Sequence, residues 1–251
     1  MTFVMAILAT IAFVNGAAAA TAAEECDVPE SLISAETDLT RVANEISDHH
    51  RLDISVVGSG SSVLSGPDGP HFAYPAQLEQ VLKERLPGNE IKVTVHIQAR
   101  QVTADMAAAL PKILSEDQPT LVIWQAGTVD ALRGVEPEEF RTSLDQGLDV
   151  VAGANADAIM MNMQHSPRTE SMLNVSSYAD VMRWVAEQRG VLLFDRLAIM
   201  RYWSDAGIFD LYTATSGYAM AHRVHECIGR ALASQIISAG HLDAGKLQTT
   251  R

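Results

Sequence analysis

Positive charge is scarce in this 251-residue chain: 18 Lys and Arg stand against 31 Asp and Glu, a formal net charge of −13. No basic patch stands out, which argues against nucleic acid or an anionic membrane surface as a partner. Cysteine is nearly absent, with only Cys26 and Cys227. No Cys or His spacing of the metal-binding type appears, and nothing calls for a cofactor. There is no internal repeat, no low-complexity tract after the N-terminal stretch and no clear domain boundary. Charged residues make up 20% and hydrophobic residues 47%, the balance of a globular chain and not a disordered one.

The first charged residue is Glu24. Before it lie an apolar stretch from Phe3 to Val14 and a run of small residues from Ala17 to Ala23. An apolar core followed by A-x-A-type sites predicts a signal peptide over 1–23, cut after Ala22 or Ala23. The usual Lys or Arg near Met1 is missing. The Ala-rich tail is too weakly apolar to complete the ~20-residue span of a membrane anchor. The expectation is a periplasmic or secreted protein, with residues 24–251 as one domain and no membrane span after cleavage. Export permits a Cys26–Cys227 disulfide closing a loop of about 200 residues; two buried thiols are the other reading.

Short apolar runs alternate with amphipathic ones. Strands are predicted at Leu52–Val57, Ile91–Ile97, Thr120–Trp124, Ala158–Met163 and Val191–Phe194. Helices are predicted at Ser34–Ser47, Tyr74–Leu86, Thr103–Leu114, Pro137–Val151, Tyr178–Gln188 and Met220–Ile237. Alternation at this spacing predicts a parallel, doubly wound sheet with helices on both faces. Ligands then sit at the carboxyl ends of the strands. The segments to watch are 58–62, 98–103, 125–130 and 164–167, the last including His165.

The first of these segments carries a family likeness. Gly60-Ser61-Ser62-Val63-Leu64-Ser65-Gly66 resembles the Gly-Asp-Ser-Leu-Thr-x-Gly block of the SGNH (GDSL-type) hydrolases. Tyr74-Pro75-x-x-Leu78 fits the same layout. So does Leu121-Val122-Ile123-Trp124-Gln125-Ala126-Gly127-Thr128-Val129-Asp130, which is similar to the family's third block. The resemblance covers roughly residues 53–233. It implies a three-layer, flavodoxin-like SGNH fold with a five-stranded parallel sheet. It also implies hydrolysis of carboxylic esters, acetyl or short acyl, on a small molecule or glycan. Ser62 takes the nucleophile's place.

Several positions depart from the family pattern. Ser61 stands where the first block has Asp. The stretch 98–103 lacks the second block's glycine. Val129 stands where the third block has an oxyanion-holding Asn, although Gln125 or Thr128 could replace it if aimed inward. The fifth block's Asp and His fall near Ser216 and Ala219. His222 and His225 follow one turn later, and His225 lies on the flank of its helix's apolar face. His225 is therefore the candidate base that a serine nucleophile needs. Asp130 matches a third-block Asp, with helix capping as its other reading. Asp205 and Asp210 could orient a histidine; a plain loop carboxylate is the other reading for each. The altered blocks leave a rival of a different class open: a catalytically inactive SGNH-fold binding or accessory protein. A phosphate-cradling turn is disfavoured, because 58–62 contains no Lys or Arg.

Overall fold

The computed structural model describes residues 26–66, 68–213 and 217–242. The expected signal peptide and Ser216 lie outside the described residues. Five strands form one wholly parallel sheet: β1 (Arg51–Gly58), β2 (Glu90–Ile97), β3 (Leu121–Gln125), β4 (Asp157–Met161) and β5 (Leu192–Phe194). Their spatial order is β2-β1-β3-β4-β5. The chain therefore runs outward from β1 to β2, then crosses back to β3 and proceeds the other way. The reversal lies between β1 and β3, where their carboxyl ends open a crevice.

Helices cover both faces. In chain order they are α1 (Glu30–Ile33), α2 (Thr40–His49), α3 (Gly69–Phe72), α4 (Tyr74–Arg85), α5 (Thr103–Asp117), α6 (Thr128–Arg133), α7 (Pro137–Gly153), α8 (Pro167–Glu170), α9 (Val175–Arg189), α10 (Arg196–Asp205) and α11 (Ala219–Ala239). The period of two decides what each face holds. Leu52, Ile54, Val56, Leu121, Ile123, Ile159 and Met161 join a core with α2, α4, α10 and α11. Val57, Val122, Trp124 and Met160 join a second core with α5, α7 and α9. Burial on both faces explains why these strands read as near-continuous apolar runs.

Close approach sets one position tightly. A Cβ on Gly147 would lie 2.2 Å from the Trp124 ring, so only glycine lets α7 lie against β3 there. Cys26 and Cys227 are joined by a disulfide that ties the chain ahead of α1 to α11. No described helix is long and apolar enough to cross a membrane.

Several elements differ from the sequence expectation, three of them for a visible reason. The helix expected from Ser34 starts only at Thr40, as α2, while the short α1 lies ahead of it and is stopped by Ser34, whose ψ of 138° is extended. β4 ends at Met161 because Asn162 turns its side chain to other work: its Nδ2 donates to Asp195, and its Oδ1 accepts the Leu197 N–H. α10 was not anticipated. Its signals were present in Asp195, whose carboxylate caps the Ala198 N–H, and in the spacing of Leu197, Met200 and Trp203.

Candidate active site

The carboxyl edge of the sheet gathers the four strand-end segments. After β1 the chain turns through a single 3₁₀ turn, Gly60–Ser62, closed by Ser62 N–H donating to the Ser59 carbonyl at 2.9 Å. This turn folds the Ser62 side chain back over the strand end. A Cβ on Gly58 would sit 2.6 Å from Ser62 Oγ, so the glycine makes room for the hydroxyl. Ser62 has no exposed surface.

Ser62 Oγ donates to Gln125 Oε1, and the other end of the same amide, Nε2, donates to Ser61 Oγ. Gln125 closes β3, so the third block's amide function survives four residues ahead of Val129. Tyr74 Oη lies 3.5 Å from Ser62 Oγ, and burial pushes the phenol's pKa upward, keeping it a donor. Thr128, the other expected substitute, has a buried Oγ1 without a hydrogen-bond partner.

Arg196, the first residue of α10, was missed in the sequence, and it lies at the middle of the site. It is fully buried. Its Nη1 donates to the Ser61 carbonyl at 3.1 Å and to Gln125 Oε1 at 3.2 Å. Its Nη2 donates to Gln164 Oε1 at 3.2 Å. Its Nε has no hydrogen-bond partner, and the guanidinium carbon lies 5.8 Å from the Tyr74 ring centre. All its acceptors are neutral. Burial without a counter-charge brings its pKa down to about 10, which leaves it cationic at neutral pH.

His225, on α11, is 5% exposed. Its Nδ1 accepts the Tyr74 N–H at 3.0 Å. Tyr74 opens α4, so the imidazole satisfies one of that helix's orphan N–H groups. The proton of the neutral ring therefore sits on Nε2. Burial first, then the Arg196 guanidinium and His222, drive the His225 pKa down to about 3. His222 stacks on Phe72 at 4.0 Å.

His165 is buried on the wall of the same region. Its Nδ1 lies 2.5 Å from Glu170 Oε1, and Arg201 Nη2 donates to Glu170 Oε2 at 2.6 Å. Burial alone would raise the Glu170 pKa; the bonds from Arg201 and His165 outweigh it and hold the carboxyl below its usual range. An ionised Glu170 requires His165 to donate from Nδ1, and in the neutral tautomer that does so the lone pair is on Nε2.

Ser62 and His225 meet through common neighbours, Tyr74 and Arg196, and not through a hydrogen bond to each other. Asp130 is placed elsewhere. Its carboxylate accepts the Thr103 N–H at 2.9 Å and the Thr103 hydroxyl at 2.8 Å, which caps α5 and pins the second-block segment to the third. Asp210 is exposed and accepts the Tyr212 and Thr213 N–H groups. Asp205 is exposed at the end of α10. Ala219 opens α11.

A cavity of about 270 Å³ borders the site, walled by Gln164, His165, Arg196, Ala221, Val224 and His225 among others. A larger hollow of about 560 Å³ opens at the opposite, amino edge of the sheet, near Arg51, Thr120 and Asn155, away from every group described above.

The sequence profile of the non-GDSL lipase-like family matches residues 25–242. An arylesterase of Vibrio mimicus is 26% identical over 135 residues, 53% of this chain and 66% of its own length. The thioesterase 1/protease 1/lysophospholipase L1 of Escherichia coli K12 is 37% identical over 57 residues, 23% of this chain and 27% of its own. The chain thus spans a little under two thirds of the first relative and about a quarter of the second. Among solved structures, a catalytic mutant of the Geobacillus stearothermophilus acetylxylan esterase Axe2 superposes with a TM-score of 0.60 at 16% identity, covering 74% of this chain and 94% of that one. TesA superposes at 0.57 and 21% identity, covering 73% and 99%.

Proposed function

Because the chain belongs to the non-GDSL lipase-like family, a divergent branch of the SGNH/GDSL hydrolases, we propose that it hydrolyses carboxylic esters with Ser62 as the nucleophile. The substrate is an acetyl or short acyl ester of a small molecule or glycan. The observation that carries this reading is the serine hydroxyl at the carboxyl end of β1, held by Gln125 beside the cationic Arg196. Ser62 attacks the carbonyl carbon, and the C–O bond to the alcohol breaks after the negative charge has passed through the carbonyl oxygen. The positive charge of Arg196, bonded to Ser61 and Gln125 beside the nucleophile, stabilises that charge in place of the third-block asparagine. An imidazole of the cavity wall takes the serine proton and returns it to the leaving alcohol; water, deprotonated by the same imidazole, then cleaves the Ser62 acyl ester, releasing the acid and restoring the serine. His165 already presents a free lone pair, whereas His225 serves as base only after releasing the Tyr74 N–H. Glu170 would orient His165 as the third member of a triad does. Export to an oxidising compartment is supported by the Cys26–Cys227 disulfide.

Hydrolysis of p-nitrophenyl acetate, abolished in Ser62→Ala and reduced by about 10²-fold or more in whichever of His165→Gln and His225→Gln removes the base, is the expected outcome. Equal trace hydrolysis in wild type and Ser62→Ala would overturn the reading. A second reading has its own observation. Ser62 is fully buried and no described imidazole is hydrogen-bonded to it, as in a protein that keeps the cleft for binding without turnover. Labelling of Ser62 by a fluorophosphonate would exclude this alternative.

A further inference from the structure

Arg196 is a buried cation without an anion. Its partners are the Ser61 carbonyl and the amide oxygens of Gln125 and Gln164. Taking a guanidinium out of water costs several kcal/mol unless an opposite charge meets it. Neutral oxygens and the Tyr74 ring offset only part of that.

The unsatisfied part of the guanidinium is specific. Nη1 is occupied twice, by Ser61 and Gln125. Nε has no partner, and Nη2 holds only Gln164 Oε1. Nε and Nη2 form one edge of the planar fork, the edge that takes a carboxylate with two parallel N–H···O bonds. Gln164 is half-buried and lies on the wall of the 270 Å³ cavity, as Arg196 does. Its amide oxygen therefore occupies the place of one carboxylate oxygen, at the point where the cavity meets the guanidinium.

The rest of the cavity also favours negative charge. The first turn of α11 contributes Met220 and Ala221 to the wall. Among the described residues that 21-residue helix has no side-chain cap and no acidic residue in its first turn, so the positive end of its dipole lies at this wall. Among the described residues, the one acidic residue on the wall, Asp210, has its carboxylate engaged by the Tyr212 and Thr213 N–H groups.

We propose that this cavity is a carboxylate-binding subsite, in which a ligand carboxylate displaces the Gln164 amide and pairs with the Nε–Nη2 edge of Arg196. Joined to the ester-hydrolase reading, on which this extension rests, it means that the preferred esters carry a carboxylate close to the scissile bond. Arg196 touches the carbonyl of Ser61, the residue before the nucleophile, which makes a short dicarboxylic hemiester the ester to test.

The subsite is tested by binding alone. Isothermal titration of the full chain with succinate, with succinamide as its neutral counterpart, measures the charge dependence directly. Succinate is expected to bind and raise the melting temperature, and succinamide to do neither. Arg196→Met should weaken succinate by about tenfold or more. Should that variant fail to fold, Ala221→Asp places a negative charge at the cavity wall and should weaken succinate by a similar factor. Gln164→Ala, which removes the competing oxygen, should tighten it. Equal responses to succinate and succinamide, or succinate binding unchanged in Ala221→Asp, would overturn the proposal. Succinate contains no ester, so these outcomes are independent of turnover. The extension is read separately: mono-p-nitrophenyl succinate should exceed p-nitrophenyl butyrate in kcat/KM. The reverse order would confine the subsite to ligands other than the substrate and overturn the extension.

Discussion

Acid should destabilise this protein through one histidine in a way that can be isolated. His225 caps α4 through its Nδ1 and is 5% exposed. Protonation would remove the lone pair that accepts the Tyr74 N–H and put a second cation beside Arg196. The fold holds its pKa at about 3, against about 6.5 in an unfolded chain. The folded-state value is the lower one, so between these limits the unfolded chain binds the extra proton. Stability from this group is therefore complete above about pH 6.5 and is lost as pH falls towards 3. One proton of difference gives a slope of about 1.4 kcal/mol per pH unit, and about 5 kcal/mol across the whole window. The control is His225→Gln, whose amide oxygen can accept the same N–H but does not titrate. Urea unfolding at pH 4.5, 5.5 and 6.5, followed by the fluorescence of buried Trp124 and Trp203, gives stability for both proteins. The variant is less stable at neutral pH. The wild type should lose its advantage at about 1.4 kcal/mol per pH unit on acidification, in excess of whatever the shared carboxylates contribute to both. Parallel profiles would show that His225 protonates normally in the fold, and would refute the burial and capping account.

Three other outcomes follow from the packing. Replacing Cys26 and Cys227 by Ser opens a loop of 201 residues' separation and should cost about 5 kcal/mol on the chain-entropy account, read as a fall in the urea midpoint. Gly147→Ala drives a methyl against the Trp124 ring and should cost about 1–3 kcal/mol, with a change in Trp emission. Asp130→Ala leaves the Thr103 N–H and hydroxyl unpaired inside the protein. It should cost about 1–3 kcal/mol of stability while kcat on p-nitrophenyl acetate stays within a few-fold. A collapse of kcat in fully folded protein would instead put Asp130 in the reaction.

The legible parts of the site are those that depend on neighbours along the chain. Gly58 and the Gly60–Ser62 turn follow a β-branched run, and local backbone freedom makes them a strand end turning over itself. Gln125 was legible as a candidate, because it closes an apolar strand; its aim at Ser62 was not. Asp130 shows the opposite case. The third-block match suggested a site residue, but its partner is Thr103, 27 residues earlier, a pairing that no local pattern reports. Arg196 carried no signal of function. An arginine after an N-cap Asp reads as the solvated first turn of a helix.

The sequence by itself determined the architecture. Its alternation of short apolar strands with amphipathic helices admits a parallel, two-sided sheet and little else, because period and burial are properties of consecutive residues. It also pointed to 58–62, 98–103, 125–130 and 164–167 as the strand-end segments to watch, since the carboxyl ends of parallel strands share one edge. Only the tertiary structure decided the protonation states and partners there. Charge and proton affinity depend on burial and on groups distant in sequence: Tyr74 on His225, Arg201 on Glu170, and the absence of any carboxylate among the hydrogen-bond partners of Arg196.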